Sequence, residues 1–236
     1  MFDSKLPISY YKEIATLNED HQIFIVQHVD TKKVYLKKTM QVYSLAVYEQ
    51  LFKHPVANIP RIYAMYEKDS LLTVIEEYIS GDSLEEILAL CGRISEKDAI
   101  LYTIKLCDIL KDLHSSEPPI IHRDIKPSNI ILTEDGRIIL IDLNAARLYS
   151  REKSRDTRLI GTEGFAAPEQ FGFGDSSGQT DIYNVGNLIK AMVGLDKDPT
   201  VKISPKLTAV INKCLEMNPK DRYISASALK SALEKI

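Results

Sequence analysis

The sequence predicts an α+β protein of two lobes, a small antiparallel sheet lobe carrying one helix and a larger, mainly helical lobe. Three observations carry this. The apolar period is about two from Ile8 to Tyr78, one stretch of period 3.6 interrupts it at residues 43–53, and after Gly81 the period changes to 3.6. At 236 residues the chain has room for one domain or two joined lobes. Neither an internal repeat nor a low-complexity linker divides it, so it is taken as one domain over residues 1–236. The small lobe is placed at about 1–78, a hinge at about 77–81 and the large lobe at about 82–236.

In chain order, "YYKEIATL", "IFIVQHV", "KVYLKKTM", "RIYAMYE" and "LLTVIEEY" alternate as half-buried strands do, and "YSLAVYEQLFK" is the helix among them. Beyond "YISG", "DSLEEILALC" and "SEKDAILYTIKLCDILKDLH" are helical. The second opens with Ser95 and Asp98 in capping-box spacing. "NIIL" and "RIILID" form a hairpin through Glu134, Asp135 and Gly136, a turn signal. Helices return at "DIYNVGNLIKAMV", "SPKLTAVINKCLE" and "SASALKSALEKI".

Composition excludes several classes. No segment approaches the ~18 unbroken apolar residues of a membrane helix, and "MFDSKLPISYYKEI" lacks the basic and apolar regions of a secretory signal. A cytoplasmic protein without a membrane partner is expected. A net charge of -3 gives no electrostatic reason for nucleic-acid binding. Cys91, Cys107 and Cys214 are odd in number and show no CxxC spacing, which argues against a disulfide framework and a zinc site. They are expected to be buried fillers. His21, His28, His54 and His114 lack metal-ligand spacing and are expected to be solvated or core histidines.

Chemistry concentrates in "HRDIKPSN", residues 122–129, where four costly polar groups sit between the apolar runs "PII" and "IIL". Phosphoryl transfer needs a carboxylate to orient the attacking hydroxyl, a cation on the phosphate and oxygen ligands for magnesium. "HRDIKPSN" followed by "IDLN" supplies that set. With "DLN" and "APE" following in order, the chain resembles the protein kinase family, whose pattern is H-R-D-L-x-x-x-N, D-F-G, A-P-E. The resemblance covers nearly the whole chain and implies the two-lobed protein-kinase-like fold, with ATP and Mg as cofactors. It implies Asp124 as base, Lys126 as the cation on the transferred group, and Asn129 and Asp142 as metal ligands. Lys126 and Thr162 are similar to the serine/threonine branch, and "GTEGFAAPEQFGFG" to bacterial members. Asp181 resembles the aspartate that pins the catalytic loop, and Glu169 with Arg222 the buried pair that anchors the A-P-E segment.

The chain also departs from the family. "LNEDHQIFIV", residues 17–26, has no glycine where the phosphate loop belongs, and Glu19 and Asp20 would repel phosphate. For the nucleotide lysine, alternation puts Lys38 on a face with Val34, Leu36 and Met40, read as the buried one, and Lys37 with Lys33, Tyr35 and Thr39. Lys38 is therefore chosen. Its usual helix glutamate is displaced: Tyr48, three and four residues before Leu51 and Phe52, takes the inward position, and Glu49 lies about 100° round. Either the helix turns by a residue to present Glu49, or the usual pair is absent. Leu143 and Asn144 replace phenylalanine and glycine of D-F-G. Leucine fits the same apolar slot, and asparagine tolerates unusual backbone angles.

The resemblance further implies that Glu77 and Ile79 offer backbone groups to adenine, that Leu36 roofs it, and that Ile23 and Ile131 complete the nucleotide contacts. Glu76 then falls at the back of the pocket, where a carboxylate needs a cation, and Lys38 is the nearest one expected. Partners are ATP and a serine- or threonine-bearing protein, which could be the chain itself. Thr157, with Ser154 behind it, is placed to carry a phosphate that pairs with Arg123. An alternative reading stays open, a kinase-shaped binding or scaffold module with weak or no turnover. A small-molecule kinase is disfavoured by "GTEGFAAPEQ" and Lys126.

Overall fold

The computed structural model describes residues 8–149, 162, 164–171 and 175–236. Five strands, β1 (Tyr11–Asn18), β2 (Ile23–His28), β3 (Val34–Met40), β4 (Ile62–Lys68) and β5 (Leu71–Glu77), form an antiparallel sheet in the order β1-β2-β3-β5-β4. Helix α1 (Leu45–Lys53) lies between β3 and β4. The β4–β5 hairpin turns through Asp69 and Ser70 alone, at φ 51° and 61°. Two consecutive positive φ values give the turn a twist that matches its strands, and short polar residues tolerate them.

The period-2 pattern has the predicted effect. Directly opposed residues share a face, so the register places Ile23, Ile25, Leu36, Lys38, Val74 and Glu76 on one side of the sheet. That side packs on α1 through Val47, Tyr48 and Leu51 and joins the main core. Val34 departs from expectation, being exposed at the strand end, while Leu36 is half-buried. The other face is not simply solvated. Val26, Ala64 and Ile75 make a second apolar cluster there, roofed by Tyr11, Phe24 and Tyr35.

The larger lobe follows β6 (Asp82–Ser83). It holds α2 (Leu84–Cys91), α3 (Glu96–His114), the short strands β7 (Ile120–Ile121), β8 (Ile130–Leu132), β9 (Ile138–Leu140) and β10 (Arg147–Leu148), then α4 (Gly178–Val193), α5 (Pro205–Cys214) and α6 (Ala226–Leu233). Ser83 and Ser95 cap α2 and α3, each hydroxyl accepting the amide three residues on. Leu106, Leu110 and Leu113 recur at helical spacing on α3 and are fully buried in the main core. Cys107 and Cys214 are buried as expected, and burial raises both thiols, that of Cys107 to about 12. Cys91 corrects the expectation, since it is exposed. No helix among the described residues is long and apolar enough to cross a membrane.

Two features fix the lobes against each other. Gly81 runs so close to β8 that a Cβ there would meet the Leu132 carbonyl oxygen at 2.4 Å, so only glycine fits. Across the gap, Gln50 on α1 donates to the Pro118 carbonyl at 2.9 Å, and the Leu140 amide donates to the Asn58 carbonyl at 3.0 Å.

Candidate active site

The loop between β7 and β8 is held from below by Asp181, fully buried in the first turn of α4. Its carboxylate accepts the amides of His122 at 3.0 Å and Arg123 at 2.8 Å. Arg123 stands at φ 71°, a conformation that costs about 1–3 kcal/mol for a residue with a side chain. The Asp181 bonds are what hold it. His114 contacts the same carboxylate at 2.8 Å, which makes it a half-buried core histidine, the second of the two expected alternatives. Burial alone would raise the Asp181 carboxyl, but His114 and the Arg123 amide hold it below the ordinary aspartate value.

A depressed folded-state value contributes stability that is present above the unfolded aspartate value, near 3.8, and is lost as pH falls through the folded one. We expect Asp181→Asn to cost about 1–3 kcal/mol at pH 7 and its deficit to shrink below pH ~4. Urea unfolding of both proteins from pH 7 to pH 3 would show it, and a deficit constant across that range would refute it.

Above this brace, Asp124 is almost fully engaged. Its Oδ1 accepts the Thr162 hydroxyl at 2.7 Å, and its Oδ2 faces Lys126 Nζ at 2.9 Å and the Asn129 amide at 3.0 Å. Lys126 also donates to Thr162 at 2.8 Å, closing a ring of three side chains. The one-turn helix Pro127–Asn129 returns Asn129 to the loop, where its amide also binds the Asp124 carbonyl at 2.8 Å. Asn129 is tied in turn to the Asp142 segment, its carbonyl accepting the Ile141 amide at 2.9 Å.

Asp142 carries the unusual backbone in "DLN", at φ 62°, whereas the sequence pointed to Asn144 for that role. Leu143 fills an apolar slot, 3% exposed. Asn144 instead receives the Tyr48 hydroxyl at 3.1 Å, so α1 touches this segment through a phenol. Glu49 is half-buried and makes no ion pair among the described residues. The helix has not turned to present it.

Lys38 finds its partner on the sheet. Its Nζ lies 3.0 Å from Glu76, with the two side chains 9% and 6% exposed, and 5.9 Å from the centre of the Tyr48 ring. Burial would lower the lysine, but Glu76, Tyr48 and Asp142 together hold it above the usual lysine range. Burial raises the Glu76 carboxyl, and Lys38 pulls against it. Lys37 points the other way and pairs with Glu13 at 2.7 Å.

The half-buried residues Ile23 and Leu36 lie on the face that carries Lys38, and Ile131 is set opposite Ser83 just beyond the hinge. The Ile79 backbone makes no hydrogen bond among the described residues, whereas the Glu77 amide bonds the Arg61 carbonyl. Ile25, opposite Leu36 on the same face, belongs with this group. Alternation along "IFIVQHV" could have found it. The glycine-free turn between β1 and β2 closes on itself: His21 donates to Asn18 Oδ1 at 3.0 Å, and the Gln22 amide donates to the Glu19 carbonyl at 3.1 Å. Ser154 and Thr157, named for phosphorylation, lie outside the described residues.

The protein kinase domain family matches residues 13–196. The chain is 36% identical over 214 positions to serine/threonine-protein kinase D of Synechocystis sp., covering 81% of this chain and 41% of that protein. It is 29% identical over 259 positions to serine/threonine-protein kinase PknA of Nostoc sp., covering 98% and 43%. With serine/threonine-protein kinase B of Synechocystis sp. the identity is 31% over 206 positions, covering 77% and 35%. The chain thus spans about two fifths of the length of these curated relatives.

Proposed function

This chain belongs to the protein kinase family, and on that premise we propose that it transfers a phosphoryl group from ATP to serine or threonine hydroxyls of proteins. The observation that carries the reading is the ring of Asp124, Lys126 and Thr162, with Asn129 closing it from the side. It presents a carboxylate oxygen that already accepts a hydroxyl at 2.7 Å, next to a cation. When bound, ATP supplies the phosphoryl group, and magnesium offsets the charge of its phosphates.

The residues present fit both. Asn129 commits its amide to Asp124 and keeps Oδ1 as acceptor, and with the Asp142 carboxylate this makes two hard oxygen donors, the kind magnesium takes alongside phosphate oxygens and water. Ile23, Leu36 and Ile131 would sandwich the base, the backbone of Glu77 and Ile79 would meet its edge, and Lys38 would hold the phosphates. Asp124 would orient the substrate hydroxyl and take its proton as the oxygen bonds the γ-phosphorus and the bond from that phosphorus to the bridging oxygen breaks, releasing ADP. Lys126 would offset the charge that develops on the transferred group.

A second reading, a binding module with little turnover, is favoured by the β1–β2 turn, whose His21 and Gln22 amides are spent internally and whose Glu19 and Asp20 are exposed. Incubation with labelled ATP and magnesium separates the two. Label on the protein itself or on an added protein mixture, found after acid hydrolysis as phosphoserine or phosphothreonine, is expected for the kinase. Label absent under conditions where nucleotide binds would leave the binding module.

A further inference from the structure

A buried carboxylate on a central strand is costly unless something makes use of it. Glu76 is 4% exposed, and Lys38 is the one ion-pair partner it has among the described residues. The register explains how they meet. Leu36 opposes Glu76 and Lys38 opposes Val74, so Lys38 and Glu76 are diagonal neighbours on one face of adjacent strands. Diagonal positions on one face lie about 7–8 Å apart, which two long side chains bridge. The helix offers no carboxylate in its place: Tyr48 fills the inward position with a ring, and its hydroxyl, which donates to Asn144, also interacts with Lys38 but carries no charge to pair with it.

We propose that Glu76 is the positioning residue for Lys38, doing from strand β5 what a carboxylate on α1 would otherwise do, so that the phosphate-binding lysine is set within the sheet. This rests on the reading of Lys38 as the residue that holds the nucleotide phosphates. Both members sit on neighbouring strands of one sheet, and their separation does not depend on the angle of α1. The lysine gains a fixed direction along the strand face from its 3.0 Å contact with Glu76.

The test compares ligands that do and do not carry phosphates. Titration calorimetry of the full chain with a non-hydrolysable ATP analogue plus magnesium, and separately with adenosine, would be run on the parent, Glu76→Gln and Glu49→Gln. A hydrogen bond to a charged group is worth enough that Glu76→Gln should weaken the ATP analogue by at least about tenfold. Adenosine, which does not reach Lys38, should change by less than about threefold, and Glu49→Gln should change neither. In the Glu76→Gln background, Tyr48→Glu should recover part of the ATP affinity by restoring a carboxylate on the helix. Should that double variant fail to fold in a thermal melt, Glu76→Asp serves instead, with expected ATP affinity between parent and Glu76→Gln. Equal weakening of both ligands would mean a merely structural role and would overturn the proposal. So would an ATP affinity unchanged by Glu76→Gln, with the kinase reading left standing. A parent that binds neither ligand would overturn both.

Discussion

Asp124→Asn is expected to reduce phosphoryl transfer by at least about 100-fold, or roughly 2.7 kcal/mol of transition-state stabilisation, with the fold intact. The carboxylate receives donors on both oxygens, Thr162 on Oδ1 and Lys126 with Asn129 on Oδ2. Asparagine has one oxygen to offer. Facing Lys126 and Asn129 with that oxygen, it turns its amide N–H groups toward Thr162, where an acceptor for a hydroxyl proton is needed. Facing the other way, it sets donors against the ammonium. Either pose removes the base and disturbs the cation together, and effects of groups that act as a unit do not divide between them. Asp124 is half-buried and asparagine matches its shape, so unfolding should be little altered. Single-turnover transfer with the protein purified free of host kinases, alongside a thermal melt, checks both halves. Turnover within tenfold of the parent would remove Asp124 from the role of base.

Much of this site was legible in the sequence, for identifiable reasons. Strand alternation has a period of two, so it separates Lys38 from Lys37 without reference to tertiary structure, and the two lysines do part to opposite faces. The position of Glu76 was legible because an acid on a buried face demands a cation. Alternation gives the face but not the depth. Val34 shares a face with Lys38 yet lies at the strand end, in solvent, and the outer face gains its own apolar cluster from Tyr11, Phe24 and Tyr35. Contacts between remote segments left no local signal. His114 ends α3 and Asp181 begins α4, 67 residues apart, and nothing in "KDLHSS" marks the meeting. The Tyr48–Asn144 bond spans 96 residues. The inward face of α1 did leave a signal, in the spacing of Tyr48 to Leu51 and Phe52, but what the phenol touches depends on packing between the lobes.

Removing the Arg222 guanidinium is expected to have the largest effect on stability. Arg222 forms a fork with Glu169, Nη1 to Oε1 at 2.7 Å and Nη2 to Oε2 at 3.0 Å, with side chains 0% and 5% exposed. Its remaining N–H groups meet the carbonyls of Glu216 at 2.8 Å, Gln179 at 2.9 Å and Met217 at 3.2 Å, so all five donors are used. Thr180 donates to Glu169 Oε1, and the Tyr183 ring lies 4.8 Å from the guanidinium carbon. Arg222→Leu strands a buried carboxylate and three carbonyls, which should cost about 3–5 kcal/mol. Arg222→Lys should also be costly, since an ammonium has three donors and no planar fork. The informative variant is the double one. If the cost is the uncompensated charge on Glu169, then Glu169→Leu with Arg222→Leu should be more stable than Arg222→Leu alone, because both charges leave together. The consequence reaches the active site: Gln170, in the same turn as Glu169, donates to the Arg123 carbonyl at 2.8 Å, so loosening this turn loosens the loop that carries Asp124. Urea unfolding of the four proteins gives the coupling, and a double variant whose loss equals the sum of the two single losses would show that the pair's charges are not what the fold depends on here.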